Sequence, residues 1–187
     1  VLGQAAGYNP VELINLEENS ADTKLLDWDG TIRLNLLPLL LKDDKGKHTL
    51  NTHVTFAGHE SSNDNKWFRP STSTQAMAQG YDGEASRSYD KSSQRIFEWL
   101  ANYTGRFGDH NLKAMAGYSY QYTVNSGFSA SNKDFANDGL GADNLGNGEY
   151  AKEEGETGMG SYKNDAKLIA FFGRVSYDYK GKYLATA

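Results

Sequence analysis

Three acidic side chains recur within a short glycine-rich stretch of the chain, at Asp134, Asp138 and Asp143. Carboxylate and amide oxygens are ligands that calcium prefers, and Asn137 and Asn144 lie close by. The spacing matches neither the calcium-binding helix–loop–helix nor the glycine-rich nonapeptide repeat. Two interpretations stay open, a calcium site and a plain glycine-rich surface turn. We expect the turn and assign no metal ligand.

No arrangement of residues in the sequence predicts catalysis. The paired carboxylates of a glycoside hydrolase face one sugar in a concave site, whereas the acids here lie in predicted loops or singly on predicted strands. His53 and His59 share a predicted strand face but are too far apart to chelate one ion, and the acidic run 153–156 is interpreted as a solvated loop tip. We predict that the protein is not an enzyme, with no catalytic residue and no cofactor.

Aromatic side chains in the predicted loops are the best candidates for binding. Aromatic rings stack on other planar or apolar surfaces, so they can contact sugar rings, and the same rings equally anchor loops on each other or on a partner. We favour anchoring and keep ligand contact as the second interpretation. The residues predicted to contact substrate or a partner are Trp67, Phe68, Tyr81, Phe128, Phe135 and Asn144.

These candidates lie on links between long alternating strands, and the links are alternately very short and very long. Short links are predicted at 42–47, 108–110 and 179–182, and long polar links at about 60–85 and 129–165. Short periplasmic turns and longer extracellular loops, sorted to opposite ends of an up-and-down sheet, are typical of transmembrane β-barrels. The pattern predicts an all-β, antiparallel meander that forms barrel wall.

Alternation with period two supports each strand. In the strand after the second short link, Leu112, Ala114, Ala116 and Tyr118 share a face opposite Lys113. A sandwich core and a lipid-facing wall both need one apolar face, so alternation does not choose between them. Three features favour a lipid-facing wall. The alternating runs are about nine or more residues long, aromatic residues lie near the strand ends, and small residues lie on the apolar face. The fifth strand is ambiguous, because apolar residues crowd both of its faces. The residues on its second face are Leu168, Ala170 and Phe172.

Composition narrows the functional classes further. The chain has 187 residues, a formal net charge of −5 and no cysteine, so a disulfide framework is excluded and no basic stripe is present to meet nucleic acid. No apolar run is long enough for a transmembrane helix. The first residues lack a signal-peptide pattern and the last residues are in mid-strand by pattern, which predicts an internal fragment. Asn9-Pro10 predicts a helix start.

Two hairpin motifs carry a resemblance to a known family. Residues 107–112 lead into 116–121, and residues 172–184 contain the Lys180-Gly181 turn. Together with Asn9-Pro10 and the segment 134–146, in the same order, they resemble the SusC/RagA family, which are TonB-dependent transporters of the Bacteroidota outer membrane. The resemblance covers nearly the whole chain, with little of it in the first long link. The motifs also have structural reasons, since Gly181 suits the positive φ of a tight turn and Asp109 can close the other turn.

The resemblance implies a large, multi-pass barrel of roughly 22 strands with a plugged lumen, in the cell outer membrane. About six strands would be present here, with residues 1–25 as an extracellular connection containing a short helix and 26–187 as partial barrel wall. It implies import of oligosaccharides or peptides. The implied partners are outer-membrane lipid, a SusD-like surface lipoprotein and TonB, the last through an N-terminal region outside this chain, and no nucleic acid.

The alternative is a soluble β-sandwich module that binds carbohydrate with the same loop aromatics. Such a module would fold alone in water, whereas an open arc with two unpaired edges and an apolar outer face would aggregate without detergent. A passive porin would share the wall but lack the plug and the dependence on TonB.

Overall fold

The computed structural model describes residues 10–37, 47–152 and 158–187, and most of these residues lie in six β-strands. The strands form one sheet in the sequence order β1-β2-β3-β4-β5-β6, so every strand pairs with its neighbours in sequence. The predicted all-β antiparallel meander is confirmed. Within the described residues the sheet is not closed, and β1 and β6 are its two edges. The strands are β1 (Glu18–Asn35), β2 (His48–Arg69), β3 (Glu84–Phe107), β4 (His110–Lys133), β5 (Met159–Tyr179) and β6 (Tyr183–Thr186).

Short helices occupy the connections. Helix α1 (Pro10–Leu16) begins at the proline that the sequence predicted for its first turn, while Asn9 lies outside the described residues. Helix α2 (Thr74–Gln79) begins where the Ser73 side chain accepts a hydrogen bond from the Ala76 amide at 3.1 Å. Three short 3₁₀ helices follow β4, and they are Gly141–Asp143, Leu145–Asn147 and Tyr150–Lys152.

None of the helices in the described part of the chain is both long enough and apolar enough to cross a membrane.

The strands extend further into polar sequence than the pattern predicted. The β2–β3 connection is residues 70–83 instead of about 60–85, the β4–β5 connection is 134–158 instead of 129–165, and β1 already begins at Glu18. The physical reason is that polar side chains pair across strands as well as apolar ones do; Asn65 Nδ2, for example, donates to Ser88 Oγ at 3.2 Å. Polarity was therefore a poor marker of where each strand ends. Two predicted features lie outside the described residues. They are the link 42–47, except for its last residue, and the acidic run 153–156.

The two short turns that the structure describes use left-handed backbone. Gly108 has a φ of 62°, and Lys180 and Gly181 have φ values of 56° and 67°, the positive signs that a type I′ hairpin requires at its two central residues. Tyr179 pairs with Tyr183, so three residues, not the predicted two, separate the paired positions. The Asp109 carboxylate contacts Lys180 Nζ of the neighbouring turn at 3.3 Å instead of closing its own turn.

The chain divides into two compact units, which we call the wall unit (26–60, 93–124 and 165–187) and the connection unit (1–25, 61–92 and 125–164). Among the described residues of the wall unit, Leu37 is the only buried large apolar side chain. Ile32 is 61% exposed and Phe171 is 80% exposed. A soluble sandwich would bury such residues in a core, whereas a lipid-facing wall leaves them outside. The sandwich interpretation is therefore not favoured.

Aromatic rings cross the wall unit in a row on its apolar face. Ring centroids are 5.1 Å apart from Phe56 to Phe97, 6.0 Å from Phe97 to Tyr118, and 5.1 Å from Tyr118 to Phe171. These contacts join β2, β3, β4 and β5 and place all four rings on one face, as the alternation predicted. Because pairs of this kind across strands stabilise a sheet by about 0.2–1 kcal/mol each, the row also helps to fix the register.

Two glycines make room for rings that lie across the neighbouring strand. A Cβ atom at Gly58 would lie 2.4 Å from the Trp28 indole, and one at Gly117 would lie 2.3 Å from the Phe172 ring. The second contact settles the ambiguity of the fifth strand. Phe172 follows Phe171 directly, so it lies on the opposite face, where Gly117 provides the space.

We expect Gly58→Ala to destabilise the folded wall more than Gly30→Ala does. The new methyl group at residue 58 displaces the Trp28 ring and removes the contact between ring and glycine, whereas nothing lies within 4 Å of the corresponding position at Gly30. The difference should be about 1 kcal/mol, measured from the urea unfolding midpoints of the detergent-purified gene product. Equal midpoints would show that the packing of the Trp28 ring does not require a glycine at residue 58.

Candidate functional site

A small hydrophobic core organises the connection unit. Phe68 at the end of β2, Ala85 at the start of β3 and Phe135 in the β4–β5 connection are buried together, with Ala142 and Leu145 packed against them. The Phe68 and Phe135 rings meet edge to face, with centroids 6.3 Å apart. The long connection is therefore folded back on the strands. These two predicted site residues anchor it, since only 5% of each is exposed.

Arg69 is the buried centre of an ionic cluster that joins the ends of three strands. Its side chain is 10% exposed; Nε donates to Glu17 Oε1 at 2.8 Å, and Nη1 donates to Glu84 Oε2 at 3.3 Å. Trp67 adds two further contacts. Its indole Nε1 donates to Glu17 Oε2 at 3.2 Å, and its ring centroid lies 4.7 Å from the Arg69 guanidinium carbon. Glu17 therefore accepts from both side chains.

Lys133 continues this cluster onto β4 between two tyrosines. Its Nζ lies 3.5 Å from a Glu84 oxygen, 3.9 Å from the Tyr81 ring centroid and 5.3 Å from the Tyr150 ring centroid. Desolvation lowers the pKa of the Lys133 ammonium, but the hydrogen bond with Tyr81 and the negative charge of Glu84 outweigh it, so the pKa is raised overall. Lys133 is thus held as a cation between aromatic faces, an arrangement that favours the charged form.

A second set of charges fastens the first 3₁₀ helix to β2 and β3. Lys66 Nζ donates to Asp143 Oδ1 at 2.5 Å, and Arg87 binds both oxygens of Asp64 at 3.1 and 2.8 Å. The hydrogen bond from Arg87 lowers the pKa of Asp64, and the hydrogen bond from Lys66 lowers the pKa of Asp143. Asp143 is exposed and Asp64 is partly exposed, so solvent screens both pairs, the Asp143 pair more strongly.

The acidic residues that raised the question of calcium each have a separate partner. Asp134 Oδ1 accepts from the Asp82 amide at 2.9 Å, while Asp138 accepts from the Ser71 amide at 3.1 Å and from its hydroxyl at 2.8 Å. Asp143 binds Lys66. Within the described ranges no group of three or more histidine or acidic side chains is placed to hold a metal ion.

Asn132 is an organising residue that the sequence did not reveal. It is buried, and its Nδ2 donates to the Leu145 and Gly148 carbonyls at 2.9 and 2.8 Å, while its Oδ1 accepts from the Ala151 amide at 2.9 Å. One side chain thereby satisfies three backbone groups of the β4–β5 connection, and a buried amide of this kind is costly to replace. A single asparagine near a strand end carries no pattern that would have marked it.

The remaining predicted site residues are dispersed. Trp67, Phe68 and Phe128 lie on strands and not in loops as predicted. Phe128 is 50% exposed and its ring centroid is 6.2 Å from that of Tyr89. Asn144 joins the first two 3₁₀ helices, where its carbonyl accepts from the Asn147 amide at 3.2 Å. The partly exposed rings of Trp67 and Tyr81 lie beside the fixed charges of Arg69 and Lys133, an arrangement that suits binding.

Sequence comparison gives one informative relative, and no protein-family model matches the sequence. The chain is 34% identical to TonB-dependent receptor P3 of Formosa agariphila over 119 residues, which are 64% of this chain and 11% of that protein. The chain therefore spans about a tenth of the length of the curated relative it matches.

The fold is similar to solved structures of RagAB. The RagAB peptide transporter matches with a TM-score of 0.65 and 17% identity over 90% of this chain and 17% of that chain. The RagAB peptide importer in its closed-closed and open-open states matches with a TM-score of 0.64 each, at 17% and 18% identity, over 88% and 90% of this chain and 17% of each of those chains. At these identities the likeness shows the fold. With the curated relative, it confirms the resemblance drawn from the hairpin motifs.

We expect Arg69→Met to open the connection unit locally. Removing the guanidinium leaves the largely buried carboxylates of Glu17 and Glu84 without this partner. Breaking a buried ion pair of this kind costs about 2–4 kcal/mol. Amide hydrogen exchange across residues 70–83 in the detergent-purified gene product measures the change. The matched control is Arg95→Met. The Arg95 side chain is 69% exposed, so its replacement should lower the stability by less than about 1 kcal/mol. Equal protection in the two variants would contradict the central role of Arg69.

Acid should release the first 3₁₀ helix from the strands. The pKa values of Asp64 and Asp143 are lowered in the fold from the ordinary value of 3.8, so their stabilisation is present above that value and is lost as the pH falls through the lowered folded values. Hydrogen-exchange protection of residues 141–147, corrected for intrinsic rates, should therefore fall as the pH drops below about 4. The double variant Lys66→Met, Asp143→Asn should lose most of this dependence, and an unchanged profile in that variant would refute the assignment.

Proposed function

We propose that this chain is outer-membrane barrel wall of the TonB-dependent receptor kind, and that it serves in a transporter that imports nutrients with energy delivered by TonB. The observation that carries the proposal is the six-stranded meander with its apolar side chains exposed on the wall unit. It is supported by the 34% identity to a TonB-dependent receptor. The chain contributes wall and connections to this activity, and we assign it no catalytic role.

The proposal places the short turns on the periplasmic side and the long connections on the extracellular side, the usual arrangement in outer-membrane barrels. The connections 70–83 and 134–158 would then be available to substrate and to a partner. Trp67 and Tyr81 are the rings best placed for contact, since each is only partly buried. We propose that Phe68 and Phe135 act as anchors, because they are buried. Phe128 and Asn144 stay as proposed contacts.

The cargo in this proposal is an oligosaccharide or a peptide, and the partner is a SusD-like surface lipoprotein seated over the long connections. The names of the solved relatives describe a peptide transporter and importer, which supports a peptide for this protein. The name of the curated relative gives no substrate. Aromatic rings beside fixed charges suit either cargo, because rings stack on sugars as well as on apolar side chains.

Uptake measurements in a strain that carries the gene test this proposal. Deleting the gene, or removing TonB, should abolish uptake of a labelled oligosaccharide or peptide mixture, because transport depends on both. Uptake that persists without TonB would indicate a passive porin. Recovery of the gene product from the soluble fraction would instead revive the sandwich module.

The connection residues can be tested in the same assay. Trp67→Ala and Tyr81→Ala should lower uptake several-fold if the rings contact cargo, since a ring contact contributes about 0.5–1.5 kcal/mol. Trp67→Phe keeps the ring but removes the indole donor to Glu17. Trp99→Ala, on the apolar face of the wall unit, is the matched control and should leave uptake unchanged. Normal uptake in both connection variants would remove these residues from the proposed contact surface.

A further inference from the structure

Glu84 joins the two halves of the ionic cluster in the connection unit. The cluster consists of Glu17, Arg69, Glu84 and Lys133. One Glu84 oxygen accepts from Arg69 Nη1 at 3.3 Å, and its other oxygen lies 3.5 Å from Lys133 Nζ. Glu17 accepts from Arg69 Nε at 2.8 Å. Anions and cations therefore alternate along the cluster, and Glu84 is the carboxylate that contacts both cations.

A proposed contact ring lies at each end of this cluster. At one end the Trp67 indole donates to Glu17 at 3.2 Å, and its ring centroid lies 4.7 Å from the Arg69 guanidinium carbon. At the other end the Tyr81 ring centroid lies 3.9 Å from Lys133 Nζ. Within the ranges that the structure describes, no side-chain hydrogen bond or ring contact joins Trp67 directly to Tyr81. The ionic cluster is therefore the path of contacts between the two rings.

Partial burial makes the contacts of the ionic cluster depend on one another. Its four side chains are between 10% and 24% exposed, so solvent screens these charges less than it screens surface pairs. A charge in such surroundings is costly to leave without a partner. Neutralising Glu84 would leave Arg69 and Lys133 with one carboxylate, Glu17, between them. We expect both cations to shift, and each shift moves the ring beside it.

The backbone around Glu84 is held by contacts outside the ionic cluster. The preceding residue, Gly83, is buried with a φ of 85°, and its carbonyl accepts from the Asp134 amide at 3.2 Å. The following residue, Ala85, is fully buried in the small hydrophobic core. A substitution confined to the Glu84 carboxylate therefore changes the charge of the cluster and leaves the path of the chain in place.

We propose that Glu84 is a positioning residue that sets the orientation of both proposed contact rings, Trp67 through Arg69 and Tyr81 through Lys133. The inference rests on the proposed function in one respect, that these rings contact the cargo. It adds that the two rings act as one surface and not as two independent contacts. The affinity for cargo then depends on a carboxylate that acts through the rings.

Fluorine NMR of the complete gene product, purified in detergent after growth with 5-fluorotryptophan, reports on the Trp67 ring. Its resonance is the one that Trp67→Phe removes. We expect this resonance to shift in Glu84→Gln and in Lys133→Met, although no contact in the described part of the chain joins either side chain to the Trp67 ring. In Lys133→Arg, which keeps the cation, the resonance should remain close to its original position.

The matched control is Glu149→Gln, which removes one carboxylate from the same unit. The Glu149 side chain is 69% exposed and pairs with Lys152, so its replacement should leave the Trp67 resonance unchanged. If Glu84→Gln does not reach the membrane, Lys133→Met takes its place. A Trp67 resonance that stays unmoved in the variant tested would overturn the inference, whether or not the protein transports cargo.

Uptake kinetics separate positioning from a merely structural role. The probe is the labelled oligosaccharide or peptide mixture that the unaltered strain takes up, with rates normalised to the protein in the outer membrane. Glu84→Gln should raise the concentration for half-maximal uptake about two- to tenfold and leave the maximal rate unchanged. It should have no further effect when Trp67 and Tyr81 are both replaced by alanine, because Glu84 acts through these rings.

The outcomes distinguish this inference from the proposed function. A fall in the maximal rate alone, or a Glu84→Gln effect that persists without the two rings, would contradict positioning. If the unaltered strain takes up neither mixture, the proposed function fails, and the fluorine resonance still decides whether Glu84 positions Trp67.

Discussion

The structure depends on one constraint, that a sheet crossing a bilayer must pair its backbone N–H and C=O groups with neighbouring strands because lipid supplies no partners. A meander meets this constraint with the shortest connections, and the order β1-β2-β3-β4-β5-β6 follows from it. The apolar side chains then have no core to enter and lie exposed on one face of the wall unit. The ring row and the pair Trp28–Gly58 order this face without burying it, while Phe172 packs over Gly117 on the opposite face.

The connection unit is held together differently. Where its chain leaves the paired strands, each backbone N–H and C=O group needs a partner of its own. Asn132 alone satisfies three backbone groups of the long connection. Arg69 joins Glu17 to Glu84, so that one guanidinium ties three strand ends together. Phe68 and Phe135 form a small apolar contact, and these hydrogen bonds and ion pairs surround it. The result is a folded connection that holds Trp67 and Tyr81 at a partly exposed surface suited to binding.

The two faces of the wall unit carry different chemistry. One face carries Phe56, Phe97 and the neighbouring rings, while the opposite face presents Lys47, Arg106 and Lys113 in one groove. The charges of the connection unit balance one another, as in Arg69 and Lys133 with Glu17 and Glu84. The groove is not balanced by the residues that the structure describes.

The sequence by itself determined the class of fold and its faces, because alternation and turn glycines are local signals. Leu112 and Lys113 were assigned to opposite faces from the pattern alone, and Lys180-Gly181 was recognised as a turn with positive φ at Gly181. Only the tertiary structure decided the partners. Strand register and loop packing bring Glu17 to Arg69 and place Asp134, Asp138 and Asp143 with three different donors, although they are close in sequence. Such contacts depend on residues far apart in the chain, which no local pattern encodes.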